Sequence, residues 1–145
     1  MTLPDIALAA PADLPAVLAL LDANGLPRAG LDEQLATTLV AREQGRLVGC
    51  AALELYGRAA LLRSVAVAAR LRGRGLGQAL TSAALELARR GGVRTVYLLT
   101  ETAAQFFPKF GFEVVTRASV EPTVLQSTEF TTACPASALV MALAL

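Results

Sequence analysis

The chain has 145 residues, of which 54% are hydrophobic and 17% are charged. This composition excludes a disordered chain, and the length predicts one domain spanning residues 1–145. With 13 basic and 12 acidic residues, the net charge of +1 gives no reason to expect a nucleic-acid or membrane-surface partner. The absence of histidine excludes a Ser-His-Asp or Cys-His nucleophile and most zinc sites, so we expect no metal.

The two cysteines and the chain ends carry no functional signal. Cys50 and Cys134 have no metal-ligand spacing, and each is expected to be a small buried apolar side chain. An arsenic-binding role would require both thiols to meet in the fold. No signal-peptide pattern opens the chain, and the apolar run at residues 138–145 is too short to span a bilayer. We therefore expect a cytoplasmic protein that does not associate with membranes.

The first half of the chain predicts two helices and four strands. Pro11 favours a helix start, apolar residues continue that helix to Asn24-Gly25, and a second short helix is expected at residues 31–37. The strands expected here are residues 6–9, 39–43, 47–55 and 60–67. The last of these is apolar almost throughout, which is typical of a strand covered on both faces.

The second half predicts a long helix, a short helix and three strands. Residues 76–90 carry one apolar stripe, and Gly91-Gly92 ends that helix. A short helix is expected at residues 102–107, halted by Pro108. The remaining strands are residues 95–99, 112–115 and 138–143. Together the elements predict a mixed α/β sheet.

The most informative segment is the turn Arg72-Gly73-Arg74-Gly75-Leu76-Gly77, between a buried strand and a long helix. Glycines let backbone N–H groups turn inward, and the helix N-terminus adds unsatisfied donors and its dipole. Arg70 brings a third guanidinium beside those of Arg72 and Arg74. This combination suits a pyrophosphate, although glycine turns with incidental arginines also occur before ordinary helices.

Two other phosphate loops do not fit this turn. A Walker loop would end in Gly-Lys-Ser/Thr, whereas this turn ends in Gly77-Gln78. A Rossmann loop would follow the first strand of the fold, whereas this turn follows the fourth.

At this point the chain resembles the GNAT acetyltransferases. Val65-Ala66-Val67 followed by residues 70–77 is similar to the acetyl-CoA motif of that family, and residues 106–112 resemble its segment ending in Gly-Phe. The resemblance covers nearly the whole chain. It implies an α/β fold with a mixed central sheet, splayed between the fourth and fifth strands, and with helices on both faces. Acetyl-CoA would lie in that gap.

The resemblance also implies which residues hold acetyl-CoA. The backbone of Val65, Ala66 and Val67 would pair with pantetheine, and the Val67 N–H would polarise the thioester carbonyl as an oxyanion hole. Thr100 and Phe107 are further cofactor-binding candidates. The residues expected around the pyrophosphate are Arg72, Gly73, Arg74, Gly75, Leu76, Gly77 and Gln78.

Phe107 departs from the family pattern. Many GNAT enzymes carry a tyrosine there as general acid toward the CoA thiolate, and phenylalanine cannot donate a proton. A thiol pKa of about 8.5 makes the thiolate a tolerable leaving group without an acid. Tyr97 is either a substitute acid or, more simply, a packed strand aromatic.

Two narrower resemblances concern the acceptor. Residues 98–100 with Phe106-Phe107 look like the acetyltransferase domain of N-acetylglutamate synthases, which implies an α-amino acid acceptor. Residues 61–64 with Glu129-Phe130 and Cys134-Pro135 are similar to stand-alone acetyltransferases linked to arsenic-resistance operons. That likeness implies acetylation of a toxic amino-acid analogue.

The acceptor side offers candidates with two interpretations each. Arg63 either clamps a substrate carboxylate or forms an ion pair with Glu54 or Glu129. Glu54 is a general-base candidate or a solvated strand-face carboxylate. Ser64 and Thr100 bind substrate or pantetheine, or cap local backbone. Glu129 is a substrate-binding candidate or orders the last loop.

The favoured function is therefore direct transfer of acetyl from acetyl-CoA to a small primary amine in a ternary complex. The alternatives are a catalytically silent acyl-CoA sensor and a peptide or protein N-terminal acetyltransferase. By analogy with the family, a homodimer would form with the last strand pairing across the interface.

Overall fold

One seven-stranded sheet organises the molecule, for which a computed structural model describes residues 3–133 and 136–145. The strand order is β1-β2-β3-β4-β5-β7-β6. The strands are β1 Asp5–Leu8, β2 Thr38–Glu43, β3 Arg46–Tyr56, β4 Ala59–Val67, β5 Thr95–Thr100, β6 Glu113–Val115 and β7 Leu139–Ala144. Every neighbouring pair is antiparallel except β4 and β5, which run parallel. The mixed α/β sheet is confirmed.

The two helices, α1 (Leu14–Ala23) and α2 (Leu76–Arg90), cover opposite faces of this sheet. Successive side chains of a strand point to opposite faces. On β3, Cys50 therefore packs in the cluster of α1, whereas Ala51 packs in that of α2. Burying one leucine stabilises such a core by roughly 1.5–3 kcal/mol. The fully buried side chains that seat the helices are Val17 and Leu21 on α1, and Leu76 and Leu80 on α2.

The sheet opens between β4 and β5, as expected. Their parallel pairing covers only three residue pairs and ends at Leu61 with Tyr97. Beyond that point β4 continues to Val67 and β5 to Thr100, but no pairing between them follows in the described ranges. This leaves a cleft bounded by two strands.

Short helical turns after β6 cover the α1-side face of β4 and β5. Val120 and Val124 are buried there with Leu61 and Tyr97. Tyr97 is therefore a packed strand aromatic. The last of these turns, Glu129–Ala133, brings Glu129 to the sheet.

The short helix expected at residues 102–107 is wrong. A 3-10 turn runs instead over Phe107–Phe110, with Pro108 near its start. The first turn of a helix leaves its N–H groups unpaired, so proline is favoured there, and Pro108 opens the turn instead of halting one. The helix expected at residues 31–37 is likewise a 3-10 turn, Asp32–Thr37.

Pairing of the last strand across a dimer interface is also wrong for this fold. β7 lies between β5 and β6 and pairs with both. Its backbone groups are already used, and the strand at that edge of the sheet is β6. In the described part of the chain, no helix has the length and apolarity to cross a bilayer.

Candidate functional site

A β-bulge at Ser64 shapes the wall of the cleft. Ala52 pairs with Arg63 but Cys50 pairs with Ala66, so β4 has one residue more than β3 in this interval. Ser64 has a φ of +59°, a left-handed conformation that costs an ordinary residue roughly 1–2 kcal/mol. The extra residue reverses the alternation of β4, so that Leu62 and Val65 both pack on the side of α2.

Two side chains hold the bulge in place. The Arg63 Nε donates a hydrogen bond to Ser64 Oγ at 3.0 Å. The Cys50 thiol donates to the Ser64 carbonyl at 3.2 Å from the other strand. These contacts offset the backbone cost, and Cys50 is buried, as expected. Its burial raises the thiol pKa to about 12, which makes it an unreactive thiol.

The bulge points backbone donors into the cleft. The Ala68 N–H bonds the Val48 carbonyl at 2.8 Å, on the β3 side. N–H groups alternate in direction along an extended strand, so the Val67 and Val65 N–H groups face the opposite side. Both residues line the cleft. Ala66 is buried on the other side, paired with Cys50, and does not line it.

The glycine-rich turn supplies a second set of donors. Gly73 and Gly75 have φ values of +78° and +88°, which favour glycine. The bond from Ala79 N to the Gly75 carbonyl, at 3.0 Å, is the first of α2. The N–H groups of residues 76–78 precede that bond and are left for an outside acceptor.

Two adjoining cavities follow the cleft. The larger, here the cleft cavity, has a volume of about 360 Å³ and runs from the β4 bulge and the end of β5 to the loop after α1. The second, the glycine-loop cavity, has about 340 Å³ and lies against the turn before α2. Four residues line both cavities: Val67, Arg72, Gly77 and Phe106. A single elongated ligand can therefore occupy both.

Most of the predicted site residues lie at these cavities. Those lining the cleft cavity are Arg63, Ser64, Val65, Val67, Arg72, Gly77, Thr100, Phe107 and Glu129. Those lining the glycine-loop cavity are Val67, Arg72, Gly73, Gly75, Gly77 and Gln78. Four candidates line neither: Glu54, Ala66, Arg74 and Leu76. Arg74 is exposed, and the Leu76 side chain is in the core, so only its backbone reaches the turn.

Arg63 is paired with both carboxylates that the sequence suggested. Its Nη1 lies 2.9 Å from Glu54 Oε2, and its Nε lies 3.3 Å from Glu129 Oε1. The Nη2 donates to the Pro27 carbonyl at 3.3 Å. The three charged side chains are only 1%, 4% and 7% exposed. The ion-pair interpretation is therefore the one observed, and a substrate carboxylate would have to compete with two protein carboxylates.

Glu54 lies away from the cleft cavity. Its Oε1 accepts a hydrogen bond from the Tyr56 hydroxyl at 2.5 Å, and its Oε2 binds Arg63. Burial and the neighbouring Glu54 raise the pKa of Tyr56 to about 12, so this phenol stays a donor at neutral pH. The position of Glu54 therefore does not favour its assignment as the general base. The alternative of a solvated strand-face carboxylate does not fit either, because the side chain is buried.

Thr100 caps local backbone, which is the simpler of the two roles that its sequence position suggested. Its hydroxyl accepts a hydrogen bond from the Ala103 N–H at 2.9 Å and caps the turn after β5. Thr100 also lines the cleft cavity. Cys134 lies outside the described residues. Within the described ranges, no three His, Cys, Asp or Glu side chains gather as metal ligands.

Sequence reasoning missed three residues of the site. Phe106 lies over Gly77, where an added Cβ would be 3.6 Å from its ring, and it lines both cavities. The Lys109 Nζ lies 5.3 Å from the centre of that ring, and Lys109 lines the glycine-loop cavity together with Arg72. Asn24 accepts a hydrogen bond from Arg72 Nη2 at 2.7 Å. The available signal was a lysine close to two aromatic residues, because lysine binds phosphate as a point charge.

A family profile agrees with this site. The profile of the family described as the acetyltransferase (GNAT) domain matches residues 34–114, which is more than half of the chain. The chain therefore belongs to the GNAT acetyltransferases, and its enzyme class is N-acetyltransferase. A comparison with curated protein sequences finds no significant match.

Solved structures of similar fold include several acetyltransferases. Rv2747 from Mycobacterium tuberculosis, in complex with CoA and NLQ, is 25% identical with a TM-score of 0.83, over 98% of this chain and 99% of that one. N-acetylglutamate synthase from Neisseria gonorrhoeae, complexed with coenzyme A and N-acetyl-glutamate, is 20% identical with a TM-score of 0.85, over 100% of this chain and 36% of that one. Ribosomal-protein-alanine N-acetyltransferase from Brucella melitensis is 25% identical with a TM-score of 0.69, over 97% and 99%.

Proposed function

We propose that this enzyme transfers the acetyl group of acetyl-CoA directly to the primary amine of a small acceptor bound beside it. The observation that carries the proposal is the continuity of the two cavities through the β4–β5 cleft. One end of the cleft has the donors that a pyrophosphate needs, and the other end has buried charged side chains. Similar folds have been crystallised with CoA, which supports the same co-substrate here.

The glycine-loop cavity suits the pyrophosphate of acetyl-CoA. The backbone N–H groups of residues 73–78 and the N-terminus of α2 offer preorganised donors to an anion. Arg72 and Lys109, which both line this cavity, add positive charge. Pantetheine would then run along β4 as an added strand, accepting and donating hydrogen bonds at Val65 and Val67.

The acetyl group would reach the bulge. We propose that the Val67 N–H binds the thioester carbonyl and stabilises the negative charge that develops on its oxygen in the transition state. Phe107 has no hydroxyl to donate, so CoA leaves as the thiolate. Phe107 and Phe106 enclose this part of the cleft and limit the access of water.

The acceptor is proposed to be an amino acid or an amino-acid-like toxic compound. A cavity of about 360 Å³ must also hold the end of pantetheine, which leaves room for a small acceptor and not for a folded partner. The sequence resemblance to N-acetylglutamate synthases and to enzymes of arsenic-resistance operons supports the same class. Because acetyl-CoA is the co-substrate, we also propose a cytoplasmic location. Homodimerisation stays a prediction.

Thiol release from acetyl-CoA tests the proposal. Purified protein would be offered each free amino acid, phosphinic and arsenic-containing acidic analogues, and short peptides. Release with a free amino acid or analogue, exceeding release with peptides, is the expected result. If no acceptor gave thiol release while calorimetry still detected CoA binding, the result would contradict the transferase and favour an acyl-CoA sensor. Preference for peptides would favour N-terminal acetylation.

A further inference from the structure

The loop that follows α1 forms one wall of the cleft cavity. Asn24, Gly25, Leu26 and Pro27 all line that cavity, together with the ends of β4 and β5. Leu26 is half-buried against the core cluster of α1, and its N–H donates to the Leu21 carbonyl at 2.9 Å. A ligand at this wall would therefore meet a loop whose position depends on a small number of contacts.

Two arginines hold this loop from different places. Arg63 on β4 is 1% exposed and donates to the Pro27 carbonyl at 3.3 Å. Arg72 of the glycine turn donates to Asn24 Oδ1 at 2.7 Å, and this contact is exposed. An exposed contact of a charged side chain contributes little by itself, because holding a long side chain in one geometry costs entropy. The contact with Asn24 is therefore the one that immobilisation of Arg72 would strengthen.

Arg72 is placed to respond to acetyl-CoA. It lines both the glycine-loop cavity, where we place the pyrophosphate, and the cleft cavity. A guanidinium has five N–H donors in a planar fork, so it can bind a phosphate oxygen and Asn24 at the same time. A phosphate contact would immobilise the side chain, and the entropy cost of the contact with Asn24 would then already be met.

Asn24 connects this contact to the end of α1. Its Nδ2 donates to the Leu20 carbonyl at 2.9 Å, and its backbone N–H donates to the same carbonyl at 3.1 Å. A side chain held by Arg72 therefore also holds the last turn of α1 and the start of the loop. The glycine turn and the loop wall of the cleft cavity are thus joined by one pair of side chains.

We propose that Asn24 is a positioning residue that couples the two ends of the cleft. Bound acetyl-CoA fixes Arg72, Arg72 fixes Asn24, and the loop at residues 24–27 then presents an ordered wall to the acceptor. By linkage, acetyl-CoA and the acceptor strengthen each other's binding by the same factor. This inference rests on the proposed placement of acetyl-CoA and adds the contact through which the two substrate sites communicate.

Hydrogen–deuterium exchange of the unmodified protein, with CoA as the probe, tests the coupling without an acceptor. The Gly25 N–H donates to the Asp22 carbonyl at 3.1 Å and the Leu26 N–H to Leu21, so exchange at both requires local opening. Saturating CoA should slow exchange at these two N–H groups by roughly two- to fivefold, the size expected of one exposed charged contact. Unchanged exchange at both, with residues 73–78 protected, would overturn the inference.

Two substitutions of Asn24 separate its contact with Arg72 from its contact with α1. Asn24→Ala removes both contacts, so the protection of Gly25 and Leu26 by CoA should disappear, while the Kd of CoA changes by less than about fivefold. Asn24→Asp keeps an oxygen for Arg72 but loses the donor to Leu20, and it should keep the protection. Retained protection in Asn24→Ala, or loss of protection in both variants, would overturn the role of the Arg72 contact.

Asp22→Asn is the matched control. Asp22 Oδ1 lies 3.6 Å from Arg28 Nε, and both side chains are more than half exposed, so this ion pair spans the same loop without reaching Arg72. The variant should keep the protection by CoA, and its loss there would overturn the inference in favour of a general loosening of the loop. Absence of CoA binding in calorimetry would instead remove the proposed function, whereas protection of residues 73–78 without the loop would remove only the coupling.

Discussion

Gly49→Ala tests how closely α2, which follows the glycine turn, packs on β3 of the sheet. A Cβ at Gly49 would lie 2.8 Å from Leu80 Cδ1 and 3.3 Å from Leu76 Cδ2. Both leucines are fully buried, so neither can swing away into solvent. Overpacking of this kind costs about 1–3 kcal/mol. At about 3 °C per kcal/mol for a domain of this size, the melting temperature should fall by about 3–9 °C.

The same substitution should weaken acetyl-CoA binding. Leu76 is the first residue of α2, and the N–H groups beside it face the glycine-loop cavity. Relief of the clash requires α2 to move from β3, which displaces those donors. The KM for acetyl-CoA should rise more than the KM for the acceptor. Thermal melts and steady-state kinetics on the same preparations measure both effects.

Two controls identify the cause. Gly91→Ala adds a Cβ at a φ of −81°, with its nearest contacts at an ordinary 3.5–3.6 Å, and should change stability by less than about 0.5 kcal/mol. In the Gly49→Ala/Leu80→Ala double variant the closer of the two contacts, with Leu80, is absent. The stability loss of the double variant should therefore differ from the sum of the two single losses by at least about 0.5 kcal/mol. Strict additivity, or an unchanged melting temperature for Gly49→Ala, would refute the packing argument.

Three further perturbations test the bulge, the phosphate site and the buried network. Ser64→Gly should fold normally, whereas Ser64→Val should lose about 1–3 kcal/mol in urea unfolding, because a β-branched side chain is strained at positive φ; equal stability of the two would contradict the bulge. Arg72→Glu should raise the Kd of CoA in calorimetry more than tenfold, because Arg72 lines both cavities, and an unchanged Kd would mean that the pyrophosphate lies elsewhere. Tyr56 and Cys50 have pKa values raised from 10.0 and 9.0 to about 12. Their contribution to the free energy of unfolding is therefore complete below pH 9 and is lost as the pH rises toward 12. Melting temperatures should fall over that interval, less so in Tyr56→Phe, and a flat profile would contradict this.

The order of the elements was predictable because local signals agree with the fold. The seven strands and α2 have the apolar periodicity that burial on one or two faces imposes. The glycines of the turn are required by positive φ at Gly73 and Gly75. A parallel pair with a long helix between its strands follows from the same pattern. These features depend on neighbours in sequence, which the sequence displays directly.

The bulge and the charge cluster depend on contacts between distant segments. Serine has no strong preference for positive φ, and Ser64 adopts it because Arg63 and Cys50 hold it there. The choice between a substrate clamp and an ion pair for Arg63 required the position of Glu129, which lies in a different part of the chain. Pro108 was misread because proline favours both the end of one helical turn and the start of the next.

Hydrogen–deuterium exchange with and without acetyl-CoA tests the central claim most directly. The cleft account predicts that acetyl-CoA slows exchange at the N–H groups of Val65 and Val67 and of residues 73–78. Exchange in β1 and in the first turn of α1 should not change. Binding of acetyl-CoA with protection elsewhere, and none along β4 or the glycine turn, would contradict the placement of the co-substrate in this cleft.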